Sequence, residues 1–297
     1  MRFSRAALLL ILSAALLQAQ TTPHDKAFWR AIAKDHYAVP ANQSAGALAE
    51  EVSQLLGSPD PELRDDLAYS ILEHWIYGLK TLQTSDLLAL TDEWRANLKI
   101  GIGESGTNSV LRRSFSALCL SLMAEREAKK PFFGEPRYHQ LVGDALAYLH
   151  DERDLRGYDA QLGWIHASAH TADLLQALAR SPMLTKEEEN SILAALFIRL
   201  STAPQVYQQG EQDRMAAAVL SVIRRPSFDA AGFEISLTRL QEEDKQVWAN
   251  PLTPETLARY QNHSYFLQAL AVRLALEPES PYIASHSHRV LDILRPR

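Results

Sequence analysis

From about residue 24 onward, apolar residues return every three or four positions, as in LRDDLAYSILEHWIYGL, VLRRSFSALCLSLMAER and EEENSILAALFIRL. A period near 3.6 gathers those positions into one buried stripe of a helix. Period-two alternation, the mark of half-buried strands, is nearly absent, so the pattern predicts an all-α protein of about ten or more helices. The breaks between periodic runs carry helix-stopping and helix-capping residues: Ser58-Pro59-Asp60-Pro61, Pro131 with Gly134 and Pro136, Ser181-Pro182 before Thr185, Pro204, Pro226, and Asn250-Pro251 before Thr253-Pro254.

Successive helix pairs recur at roughly 40 to 50 residues, the size of a HEAT-like or armadillo-like unit, without a consensus at fixed positions. The expected architecture is an irregular stack of helical hairpins; a closed ring of helix pairs fits the same pattern. No stretch resembles a long interdomain linker, so residues 20–297 are expected to form one domain.

The first segment breaks the amphipathic rhythm. It starts with Arg2 and Arg5, runs apolar from Ala6 to Leu17, and reaches the small residue Ala19. A basic start, a short apolar run and a small residue at a cleavage position read as a secretory signal covering 1–19. The run is about 12 residues, short of the roughly 20 that cross a bilayer as a helix. A secreted or periplasmic protein with no membrane span after cleavage is the expectation.

Charge narrows the partners. Loss of 1–19 removes two arginines and no acid, taking the net charge from −6 to −8. An acidic body without a long basic run argues against nucleic acid, whose binding rests on Lys and Arg. A small molecule, a protein or a cell-wall component remains as the expected partner. The single cysteine, Cys119, sits in an apolar run and cannot form an internal disulfide.

The stretch GWIHASAHTADLL, residues 163–175, holds the candidate chemistry. Read as one helix over 162–178, it places Trp164, Leu174, Leu175 and Leu178 on a core face, and His166, His170 and Asp173 opposite, among small residues. Histidines four apart lean the same way, as when one helix supplies two ligands to a divalent metal. Asp173 lies about 10.5 Å along the axis from His166, which suits it better as a partner for His170 than as a third ligand. Just upstream, HDERDLRGYDAQ crowds acids and arginines around Gly157; Asp154 is a candidate general base and Arg156 a candidate anion clamp. The same residues also suit a helix start with a salt bridge.

These motifs, with RDDLAYSILEHWI, RRSFSALCLSL and EQDRMAAAV, resemble the signature of a bacterial family labelled domain of unknown function 2785, over about residues 45–275. The resemblance rests on Arg64-Asp65, Arg113-Ser114-Phe115, Asp154 to Gly157, the Gly-Trp-x-His-x-x-x-His of 163–170 with Asp173, and Glu211, Asp213 and Arg214; Gln212 stands where the pattern has an acid. It implies a helical fold and carries no activity. It adds Asp65, Arg113, Asp213 and Arg214 to Arg156, Trp164 and Asp173 as the candidate ligand-binding residues. Asp154, His166 and His170 are the catalytic candidates, and His166 and His170 the metal candidates.

Two uses suit this set: a pocket for metal-assisted hydrolysis or an anionic ligand, or a buried salt-bridge network in a non-enzymatic interaction protein. A third, carbohydrate chemistry, requires exposed acids beside aromatics, for which Trp75, Trp94 and Trp248 are available. GIGESG at 101–106 follows a helical pattern rather than a strand, so no nucleotide cofactor is expected. His74 reads as a core or boundary residue, and His286 and His288 as part of a frayed end.

Overall fold

The computed structural model describes residues 23–78, 81–277 and 281–295. The proposed signal segment lies outside the described residues. Among the described residues there are twelve α-helices, a π-helix, a 3-10 turn and one two-stranded hairpin. The N-terminal part comprises α1 (Lys26–Lys34), α2 (Ala45–Ser53), the 3-10 turn Gln54–Gly57, the π-helix Glu62–Tyr69, α3 (Ser70–Tyr77) and α4 (Thr84–Asn97). Then follow α5 (Ser109–Lys129), α6 (Glu135–Asp151), β1 (Tyr158–Asp159), β2 (Gly163–Trp164) and α7 (Ala167–Ala179). The chain continues through α8 (Lys186–Thr202), α9 (Glu211–Ile223), α10 (Ala230–Ala249), α11 (Pro254–Ala275) and α12 (Pro281–Leu294).

The helix ends follow the local signals. Asp25, Ser44 and Thr185 accept backbone N–H bonds as N-caps, and Thr185 with Glu188 forms a reciprocal box. Pro254 opens α11 at a position where its missing N–H is harmless. The SHSH stretch, expected as a frayed end, is inside α12, and His286 is buried beside Phe228 and Phe233.

Two layers emerge. In one, α5, α7, α9 and α11 pack each against the next; in the other, α6, α8 and α10 do the same, with α6 and α8 also meeting α7, α9 and α11 across the interface. Among the described residues, packing partners advance in chain order, from α1 on the π-helix and α3 to α12 on α11, as in a stack of helices. The innermost elements are α5 and α7. Val110, Leu111, Phe115, Cys119 and Met123 are fully buried on α5, as are Leu174, Leu175 and Leu178 on α7.

Candidate functional site

Between α6 and α7 the chain leaves helix for the segment 152–166, and three buried arginines hold it from three sides. Arg113, on α5, grips Glu152 in a bidentate pair at 2.7 and 3.0 Å and donates to the carbonyls of Ile100 and Gly101 and to Ser109 Oγ. Glu152 Oε1 also accepts the N–H groups of Arg153 and Asp154 at 2.9 Å. Burial works against the Arg113 charge, but Glu152 keeps the guanidinium above its ordinary value. Arg199, on α8, donates to the carbonyls of Leu149, His150 and Glu152.

The third staple is Arg64 in the π-helix. Its guanidinium donates to Ser58 O at 2.7 Å, Leu162 O, and Trp164 O at 3.0 Å, and lies over the Phe115 ring at 4.8 Å. Burial lowers its pKa, and the charges of Asp65 and Asp60 oppose that shift. Gly163 is also fitted to this element: its φ is +69°, and an added Cβ would come 2.9 Å from Pro61 Cβ, so only glycine lets the hairpin lie against the π-helix start.

The Asp154–Arg156 pair stitches the segment to the 101–108 loop. Asp154 is buried, accepts Gly106 N–H at 2.9 Å and holds Arg156 at 2.6 Å, while Arg156 also donates to Thr107 O at 2.8 Å. Both carboxylate oxygens of Asp154 are engaged by the Arg156 side chain. The expected general base is thus a loop tie. GIGESG, as expected, is a connection into α5, with Gly101, Gly103 and Gly106 all at positive φ.

The histidines sit differently from the one-helix reading. Residues 163–164 pair with 158–159 as strands, Ile165 N–H bonds back to Gly157 O at 2.8 Å, and α7 begins only at Ala167. His166 is therefore the residue before the helix, in the left-handed region at φ 50°. Trp164, expected on the core face, is 40 % exposed. Tyr158, its cross-strand partner, is 55 % exposed, and the two rings meet edge-on at 5.0 Å. His166 stacks under Trp164 at 4.5 Å, and His170 meets His166 edge-on at 5.8 Å.

Hydrogen bonding fixes both tautomers. Ser114 has one hydroxyl proton, which goes to Ile165 O, so Ser114 Oγ accepts from Nδ1–H of His170 at 2.8 Å and His170 Nε2 is left bare. His166 Nε2 lies 3.2 Å from Gln209 O and therefore carries the proton. Glu211 Oε1 is 3.5 Å from that nitrogen. Burial pushes His166 down to about 4, with Arg214 adding to the drop and the Gln209 bond opposing it. Burial, then the neighbouring His166 and Arg214, hold His170 well below its ordinary value. Both rings are neutral at neutral pH.

The remaining candidates divide. Asp173 pairs with Arg214 at 2.7 Å, not with His170. Burial raises Asp173 and its partner Arg214 opposes the rise. Asp213 is held in a bidentate pair with Arg273 at 2.6 and 3.0 Å. Asp65 is half-buried in the π-helix, and burial with the adjacent Asp66 raises its pKa. Among the described residues, no three His, Cys, Asp or Glu side chains group so as to hold a metal ion. The structure adds Arg64, Ser114, Glu152, Arg199 and Glu211 to the site. Arg64, Ser114 and Glu211 stood inside recognised motifs beside the residues that drew attention, and Glu152 in the acid-rich turn; nothing in the spacing singled out Arg199.

Fold and site together define a helical-stack protein in which buried arginines clamp an aromatic hairpin. Residues 98–272 match the family described as "Protein of unknown function (DUF2785)", and the chain belongs to it. Arg64 and Asp65 lie before the matched stretch, whereas the Arg113, Asp154–Gly157 and Gly163–Asp173 motifs fall within it. No curated protein and no solved structure matches the chain.

Proposed function

We propose that this is an exported recognition protein that docks a protein partner on the Tyr158–Trp164 hairpin, with Arg214 beside it. The observation carrying this reading is a pair of exposed aromatic rings on a hairpin whose backbone is clamped by the buried Arg64. Exposed apolar rings are costly unless covered, and rigid ones lose little entropy when a partner covers them. Tyr, Trp and Arg are the side chains that dominate binding energy at protein interfaces. Arg214 is half-exposed, and its charge reaches His166 beneath Trp164. The paired, mostly dry state of Arg113, Glu152, Asp154 and Arg156 supports a supporting framework rather than a hydrolytic centre.

A photo-reactive phenylalanine analogue in place of Tyr158, illuminated in living cells, is expected to trap one defined protein. Trp164→Ala in the same chain should abolish the adduct while leaving the melting temperature within about 2 °C, since surface substitutions change stability little. No adduct at position 158, or a stoichiometric divalent metal lost on His166→Ala or His170→Ala, overturns the reading in favour of a catalytic pocket.

A further inference from the structure

The C-terminal end of the stack carries a second site, independent of the hairpin. Facing stripes of α10 and α11, closed by the last turn of α12, surround a cavity of about 430 Å³, within the range of small-ligand sites. Gln241, Asp244 and Trp248 line it from α10, at positions three and four apart, and Tyr260, Ser264 and Gln268 from α11, at steps of four. Trp248 is 60 % exposed and meets Tyr260 edge-on at 5.2 Å. Trp75 and Trp94, the other tryptophans considered for carbohydrate, are buried in the core.

Asp244 is held from behind. Its Oδ1 accepts from His263 Nδ1 at 2.7 Å, and His263 Nε2 lies 3.0 Å from Ser201 Oγ. An ionised carboxylate only accepts, so Nδ1 of His263 donates to Asp244, while Ser201 Oγ, beside His263 Nε2, also hydrogen-bonds Glu243. A Ser–His–Asp chain is also the arrangement of a nucleophilic triad. Here Ser201 lies in the last turn of α8, which presents carbonyl oxygens and no spare N–H to an oxyanion. It opens onto a different cavity, where Arg239 is committed to Glu243 at 2.9 Å. The chain therefore ends at Asp244, which lines the cavity and whose Oδ1 is held by His263.

An exposed indole beside a second ring offers a flat apolar surface for the C–H face of a pyranose. Two carboxamides, a hydroxyl and a fixed carboxylate offer both donors and acceptors to its hydroxyl rim, and the two cations that also line the cavity, Lys245 and Arg295, are already paired with Glu242 and Asp292. Glycoside cleavage requires two carboxyl groups flanking the bond, and among the described residues Asp244 is the only acid lining the cavity. We infer that the Trp248–Asp244–Tyr260 cavity binds an uncharged oligosaccharide of two or three pyranose rings without cleaving it, with His263 and Ser201 as positioning residues.

The test titrates the full exported chain with cellobiose, maltose and N,N′-diacetylchitobiose, reading tryptophan fluorescence and heat. At least one sugar is expected to bind, and Trp248→Ala and Asp244→Asn should each weaken it about tenfold or more. His263→Gln should weaken it severalfold although its ring does not line the cavity; thermal melts confirm that each variant is folded. Trp164→Ala should bind the sugar like the parent, which separates this site from the hairpin. Silence with all three sugars, undiminished binding by folded Trp248→Ala, or release of reducing ends from a bound sugar overturns the proposal.

Discussion

At the scale of single residues, His166 concentrates the consequences of burial. Its left-handed backbone is uncommon for a side chain with Cβ, and it places the ring between Trp164 and the Gln209 carbonyl. The folded value near 4 lies below the unfolded 6.5, so between those limits the unfolded chain binds the proton more readily. Stability therefore falls as pH drops through that window and the His166 contribution levels off below it. The full loss is about 3 kcal/mol for a shift of this size. Glu211 and Asp173, both raised by burial, act in the opposite sense, so the comparison must be between variants rather than within one curve. His166→Asn, which tolerates the same backbone, should show a shallower decline in urea midpoint between about pH 7 and pH 4. An unchanged slope would mean that the ring is solvated in the folded state. The type and spacing of the two histidines were readable in the chain, but their burial was not. The periodic pattern ran unbroken through 162–166, and only the pairing of 158–159 with 163–164 delays α7 to Ala167.

At the scale of elements, the segment 152–166 sends Leu155 and Ile165 into the core, and its backbone is held by buried charge. Arg113 and Glu152 are both buried, and removal of either leaves the other uncompensated away from water. Arg113→Met and Glu152→Gln should each lower unfolding free energy by about 3–5 kcal/mol. The pair together should lose less than the sum by about 1–3 kcal/mol, because the stranded charge is gone. Some loss stays, since Arg113 also serves the Ile100 and Gly101 carbonyls and Glu152 the Arg153 and Asp154 amides. Denaturant titrations of the four proteins check this, and additive losses would count against direct coupling. Element identity was legible where periodicity and caps agreed, as at Thr185 before α8 or Pro254 in α11. The hairpin was not, because two-residue strands have no period to detect. Nor was the direction of Arg64, whose partners are carbonyls about a hundred residues away.

At the scale of the molecule, one hydrophobic cluster runs from Trp29 in α1 to Val290 in α12, through α5, α7 and α9. A stack whose repeats met only their neighbours would unfold piecewise. Here α7 is buried on nearly every side: it packs on α5 and α9, touches α6 and α8, and follows the clamped hairpin, so loss of that centre removes support from both ends. The expectation is one domain that unfolds in one step. Its amino terminus belongs to the same argument, because α1 starts at Lys26, and cleavage after Ala19 would leave the Asp25 cap of α1 and the core residue Trp29 in place. Protein recovered outside the cytoplasm should begin at Gln20 and melt in a single calorimetric transition whose van't Hoff and calorimetric enthalpies agree. Retention of the first 19 residues would remove the export reading. Two separated transitions would show that the ends of the stack fold independently and that α7 does not couple them.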